Sequence, residues 1–420
     1  MKKVTSFIIV STLALGWMGC VDQTNPIDGQ KDAVVKSGII SQDETWTADA
    51  IYELDGRVIV DAGVTLTIEA GTIVKGREGE AENASVLIVA RDAKINAVGT
   101  ADQPIIFTSV LDLIQVGETK STLVKENNET WGGIIILGNA PVSAKSGDTE
   151  SSIEGLPANE AYGKYGGANP TDNSGTLKYV SIRFGGITIG EGNEINGLTL
   201  GGVGSGTTID NIEVFATLDD GIEFFGGTVN VTNAVVAWQG DDGLDIDQNY
   251  AGTIDNFVVT HGAGVGTDEG LEIDGPEGST TDGFFTLQNG TIISDGDGSA
   301  ADFKSQAQGS VVNVKFSGYT GGAKLKFRTS MVDFCGATKA DAFLYLTQPS
   351  PILVITGSQF DGVKVYTDSY PQNANQGVDP PCDLKANDQA DAEAAAVSTT
   401  ASGADLTAFY WTAAAEEGLL

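Results

Sequence analysis

Ile209-Asp210-Asn211-Ile212-Glu213-Val214, followed by Asp219-Asp220-Gly221-Ile222-Glu223-Phe224, is a unit that the chain repeats. Its first half returns as Val231-Thr232-Asn233-Ala234-Val235-Val236, Ile254-Asp255-Asn256-Phe257-Val258-Val259, Leu287-Gln288-Asn289-Gly290-Thr291-Ile292 and Val311-Val312-Asn313-Val314-Lys315-Phe316. The Asn residues are 22, 23, 33 and 24 apart. The second half returns as Asp241-Asp242-Gly243-Leu244-Asp245-Ile246 and Asp268-Glu269-Gly270-Leu271-Glu272-Ile273. It follows its Asn by eight residues in the first two copies and by twelve in the third, which marks an insertion.

Short β-branched segments with period-two alternation, punctuated by Gly and repeating every 22 to 24 residues, read as the rungs of a solenoid with two or three strands per turn. The reading is all-β: a single-stranded, right-handed parallel β-helix, the handedness following the crossover rule. Rungs about 4.8 Å apart would stack the repeated Asn residues in one column, their amides bonding from turn to turn. Leucine-rich repeats lack their consensus here, and sandwiches lack an in-phase repeat. The same grammar without Asn occurs at 58–60, 64–73, 85–89, 93–95 and 104–108, so the helix is expected over 46–366. That length predicts on the order of 12 to 14 rungs. The polar stretches 112–129 and 145–172 are expected to project as loops, and 367–420 to form a C-terminal tail and cap. In that tail a short helix is expected at 388–397, with the apolar segment 406–411 docking as the cap.

The 420 residues carry 23 Lys+Arg against 57 Asp+Glu, a net charge of −34, which excludes a nucleic-acid binder that works by neutralising phosphates. One histidine and three cysteines leave little for histidine-rich or zinc-ribbon sites. Residues 1–19 read as a signal peptide, with Lys2-Lys3, a short apolar run and Gly19 before Cys20. Gly19-Cys20 resembles a bacterial lipoprotein processing site, although Trp17 and Met18 depart from the usual residues. That likeness implies a lipid on Cys20, a tether over 20–45, and no other membrane attachment. Cys335 and Cys382 then form an even pair outside the cytoplasm, read either as a disulfide or as two buried thiols.

Four stretches resemble a family of β-helical surface lipoproteins of Bacteroidota-type bacteria. They are Thr65-Leu66-Thr67-Ile68-Glu69-Ala70-Gly71-Thr72, Trp131-Gly132-Gly133-Ile134-Ile135-Ile136-Leu137-Gly138-Asn139-Ala140-Pro141, Gly201-Gly202-Val203-Gly204-Ser205-Gly206-Thr207, and Asp219 to Gly227. The resemblance implies an outer-membrane or cell-surface lipoprotein and no assigned reaction.

If Ile222, Leu244 and Leu271 point inward, Glu223, Asp245 and Glu272 form an outward column, with Asp247 and Asp274 in a second column beside Phe225. Stacked like charges repel. Calcium, which takes six to eight oxygens, would offset this, and Glu223, Asp245, Asp247, Glu272 and Asp274 are its candidate ligands. The alternative is a solvated acidic face. Lys304 and Lys326 are expected to continue the first column and Arg328 the second. The order Asp220, Asp241-Asp242, His261-Gly262, Lys304 also resembles polygalacturonase-type glycosidases, which are β-helices. That likeness implies catalytic roles for Asp220, Asp241, Asp242 and His261. The departures are Leu218-Asp219 before Asp220, Thr260 before His261, and the lack of Arg-x-Lys near Lys304. Asp-Asp-Gly is also a turn device, and His261 reads as a surface or ladder-edge residue. Trp131, Tyr162, Tyr165 and Tyr250 are candidates to stack on sugar faces, the alternative being that aromatics in glycine-rich rungs pack the turns. The expected function is a non-catalytic scaffold or binder of a surface glycan or envelope protein, calcium-stabilised. The alternative is a polysaccharide-degrading glycosidase or lyase.

Overall fold

The structure, a computed structural model, describes residues 33–79, 83–145, 149–154, 156, 160–190, 193–296, 298–332, 337–338, 342–370 and 388–420. Cys20, Cys335 and Cys382 lie outside the described residues, as do the signal peptide and most of the tether. The rest is a right-handed parallel β-helix whose strands stack into three in-register ladders.

The first ladder contains eleven strands among the described residues, at 34–36, 51–54, 73–76, 105–109, 180–183, 212–215, 234–237, 257–260, 290–293, 315–317 and 359–360. The second also has eleven, from 38–40 through 222–225, 244–247 and 271–273 to 364–370. The third has ten, from 44–46 to 353–356. Ten to eleven turns therefore replace the expected 12 to 14, because the insertions at 110–132, 138–174 and 331–352 take residues that the division had assigned to rungs. The ladder also starts earlier than expected. Val34–Ile40 pairs with the strand Ile51–Val60, inside the segment read as tether. Lys36-Ser37-Gly38 hides its alternation, since Gly38 turns the corner at φ 69° as Gly56 does one rung on.

Inward residues alternate along each strand and fuse into one core. Ile222 and Phe224 lie over Leu244 and Ile246, and these over Leu271 and Ile273, all at most 1% exposed. Phe303 stacks on Phe327 at 5.0 Å. Each such side chain contributes roughly 1.5–3 kcal/mol of transfer free energy. Between the third and first ladders the chain bends at Asn211, Asn233, Asn256, Asn289 and Asn313, all with φ of 54–58°. Asn tolerates this left-handed conformation. The expected amide ladder is present with a variation. Asn256 donates to Asn233 (2.7 Å) and Asn313 to Asn289 (2.8 Å), whereas Asn233 and Asn289 donate to Asp210 (3.1 Å) and Asp255 (2.7 Å).

The insertions fold back onto the walls. Val142, Ile153, Leu156 and Tyr165 cover Val86, Ile88, Ile135 and Leu137 on the outside of the second ladder. At the C-terminal end, helices α1 (Ala342–Thr347) and α2 (Asp388–Ala395) put Ala342, Phe343, Leu346, Ala392 and Ala396 into the main core. The cap is therefore these two helices. The segment 406–411 sits elsewhere, on the flank of the first ladder, because its aromatic residues match an apolar stripe there.

Candidate functional site

The corner before the second ladder explains Asp-Asp-Gly. A Cβ on Gly221 would lie 2.2 Å from Val236 Cγ1, and one on Gly243 2.5 Å from Val259 Cγ1, so this column accepts only glycine. The acid before each glycine bonds the next rung. Asp220 Oδ1 accepts the N–H of Asp242 (2.9 Å), and Asp242 Oδ1 that of Glu269 (2.7 Å). Both acids are buried and stand in one column on adjacent turns.

Beyond the corner, Thr199, Glu223, Asp245, Glu272, Asp302 and Lys326 stand in register along the outer wall. Asp247 pairs with Phe225 in the next outward column, and Asp274, Lys304 and Arg328 follow there. The first column thus holds Asp302 where Lys304 was expected. Ile273 pairs with Phe303, and the strand Ser299–Phe303 lacks the preceding Asp-Asp-Gly that would reveal this two-residue offset in the sequence.

Charge divides this wall into two parts. Toward the C-terminus, Lys304 pairs with Glu272 and Lys326 with Glu269, and Arg328 Nε binds both oxygens of Asp302 (2.9 and 3.0 Å). Toward the N-terminus, Asp219, Asp220, Glu223, Asp241, Asp242 and Asp245 have no ion pair to a basic side chain among the described residues. Three sets of carboxylate oxygens lie within 4.8 Å of one another: Asp219, Asp220 and Asp241; Asp220, Glu223 and Asp245; and Asp242, Glu269 and Glu272. Among the three sets, Lys304 and Lys326 form ion pairs only with the last, although Lys304 also lies close enough to Asp241 of the first to favour its ionised form.

Asn196, 1% exposed, enters the middle set from the insertion side. Its amide donates to Glu223 and to Thr199 Oγ1 (3.2 Å), while its carbonyl oxygen finds no hydrogen-bond partner. Asp245 Oδ1 is likewise buried and unpartnered. The environment disfavours ionisation throughout. Burial, then a neighbouring carboxylate, raises Asp220 (beside Asp242), Glu223 (beside Asp220), Asp242 (beside Asp241) and Asp245 (beside Asp247) well above the usual carboxylate range. Burial with Asp241 pushes Asp219 up to about 7, burial with Glu277 pushes Asp247 to about 6, and burial with Asp247 pushes Asp274 to about 8.

The other residues singled out from sequence sit apart from this set. His261 is fully buried rather than on the surface, its ring edge-on to Tyr319 at 5.7 Å, because the corner after the first ladder folds it inside. Trp131, Tyr165 and Tyr250 are at most 2% exposed and serve as packing. Trp131 stacks against Phe107, Tyr165 meets Phe225 at 5.8 Å, and Tyr250 meets Phe224 at 4.7 Å. Tyr162 packs against the apolar cluster on the second ladder's wall. Sequence reasoning missed Asn196, which belongs to no repeat, and Asp219, whose half-buried carboxyl meets Asp241 of the next turn.

No curated protein and no solved structure matches the chain. A family model described as pectate-lyase like beta helix domain matches residues 38–414. The parallel ladders over that same span agree with it, and the chain belongs to the pectate-lyase-like β-helix domain family.

Proposed function

We propose that the acidic wall is a calcium site through which the protein binds carbohydrate without cleaving it. The observation that carries this reading is the middle set: Asp220, Glu223 and Asp245 converge with no base, next to the orphaned carbonyl of Asn196 and the free Oδ1 of Asp245. Every donor there is oxygen, the chemistry of a hard cation. Calcium would satisfy both orphan oxygens and offset the repulsion that raises these acids. Its remaining coordination positions would take water or the hydroxyl and carboxylate oxygens of a glycan. The family fits a carbohydrate-related role. Binding is favoured over hydrolysis because Asp220 and Asp242 each use an oxygen to hold the next rung, and His261 lies buried behind the corner. We place the protein at the cell surface or outer membrane, anchored through a lipid on Cys20, from the character of residues 1–20.

Calorimetric titration of chelator-stripped protein with calcium tests the site, and glycan binding with and without calcium tests its use. Saturable calcium binding that Glu223→Gln with Asp245→Asn abolishes supports the reading, and its absence overturns it. Cleavage of polysaccharide is the second reading. It rests on Asp219, which is partly exposed beside Asp241 and pushed up to about 7, the state of a general acid. A polysaccharide panel on which the protein releases no products rules it out.

A further inference from the structure

Residues 399–420 contribute no strand to any ladder, yet they run back along the outside of the first ladder from its last rungs to its fifth. The ladder meets this segment at successive turns. Thr399 N–H donates to the Ser358 carbonyl (2.7 Å), Ser402 N–H to Asn313 Oδ1 (2.8 Å), Ala404 N–H to Thr291 Oγ1 (2.9 Å) and Asp405 N–H to Asn256 Oδ1 (2.7 Å). Further on, the N–H groups of Ala413 and Ala414 donate to the two oxygens of Glu213 (3.0 and 2.9 Å), a carboxylate with no exposed surface. Trp411 lies edge-on to Tyr179 at 5.4 Å, and Phe409 fills an apolar stripe of Phe184, Phe215, Val235 and Val258.

Over 399–405 this is the pattern by which a groove reads an extended peptide, side chains taking the peptide's backbone donors. Beyond it the short helical turns Leu406–Phe409 and Ala413–Glu416 set Phe409 and the amides of Ala413 and Ala414 onto the ladder. None of these contacts requires the segment to belong to the same chain. It is joined through Val397, 53% exposed, and the exposed Ser398, whose Oγ accepts the Phe360 N–H (2.9 Å). An emptied groove would present a contiguous apolar stripe, a surface that soluble proteins keep covered, and would leave the Glu213 carboxylate with Ser181 Oγ (2.6 Å) and Arg183 (3.9 Å) but without its two backbone donors. We propose that the outer face of the first ladder is a docking groove for the C-terminal segment, filled by the chain's own residues 399–420 and, when these are displaced, by the same segment of a second copy.

The test uses the full chain with a protease site inserted between Val397 and Ser398, cleaved after folding. A labelled peptide of residues 399–420 is expected to replace the cleaved segment at one per chain, with a Trp411→Ala peptide at least about tenfold weaker. Stripped of its segment, the cleaved chain is expected to form a complex of twice the mass with uncleaved chain. A cleaved chain that takes up no labelled peptide overturns the groove, and one that takes up peptide but never pairs with uncleaved chain overturns the second-copy role. Hydrogen exchange on the uncleaved chain gives an independent reading. Amides 402–414 are expected to open before the ladder amides, and exchange only through global unfolding overturns the proposal.

Discussion

The Oδ1 of Asp220 accepts the backbone N–H of Asp242 at 2.9 Å, so the acid that looks most catalytic in the sequence is also the bond between two turns. A carboxylate oxygen of the same side chain belongs to the set with Glu223 and Asp245. One side chain therefore holds the wall in register and supplies charge to it. These roles separate by mutation. Asp220→Asn keeps a carbonyl acceptor and removes the charge, so in chelator it is expected to melt at or above the parent temperature while its response to calcium falls. Asp220→Ala loses both and leaves a buried N–H unsatisfied, an expected loss of about 1–3 kcal/mol in denaturant titrations.

The wall also sets a pH dependence. Asp219, Asp247, Glu269 and Asp274 have folded pKa values raised to about 7, 6, 7 and 8 from starting values of 3.8 or 4.5. For Glu269, burial exceeds the opposing bond from Lys326. A carboxyl raised on folding binds its proton more tightly in the native state, so stability is greatest below the unfolded value and falls as pH rises through the folded one. In chelator the protein is expected to melt higher at pH 5 than at pH 8. Calcium, which favours the ionised wall, should shrink that difference. A stability that climbs from pH 5 to pH 8 in chelator would contradict the burial of these acids.

Asn256 joins the amide ladder, the left-handed bend and the C-terminal segment, bonding Asn233 and both the N–H and carbonyl of Asp405. Asn256→Gly keeps the φ of 57° at low cost, whereas Asn256→Ala adds strain of about 1–2 kcal/mol. Both variants should be destabilised, with Ala below Gly by that margin in denaturant melts. Equal losses would mean that the bend carries no strain.

At the corner, Gly243→Ala sets a methyl 2.5 Å from Val259 Cγ1 and 2.6 Å from the carbonyl oxygen of Gly270. Backbone on one side and core on the other leave it no relief. An expected loss above about 3 kcal/mol, read from the urea midpoint, puts it among the most damaging single methyl additions.

The ladders were legible because the Asn and Asp-Asp-Gly signals recur at rung spacing, and period-two alternation then places Ile222 inward and Glu223 outward. Rung number was not, since an insertion folded against a wall counts as extra rungs when the length is divided by the repeat. The register at Lys304 failed for another reason: no Asp-Asp-Gly corner precedes the strand Ser299–Phe303 to fix it. The acidic column could be found from its repeat. Its burial could not, because Asn196, which bonds Glu223 and is itself buried, belongs to no repeat. Turn packing, one of the two readings of the aromatic residues, holds for Trp131, Tyr165 and Tyr250; the sequence could not decide it, since a lone Trp or Tyr in a glycine-rich stretch carries no period to give its direction.

Thermal unfolding of the chain from Ala33 onward, in calcium and in chelator, for the parent and for Glu223→Gln with Asp245→Asn, tests the central claim most directly. The predicted result is a calcium-dependent rise of several degrees in the parent that the double variant loses while keeping its melting temperature in chelator. Identical melting of the parent in calcium and chelator would contradict a cation on this wall.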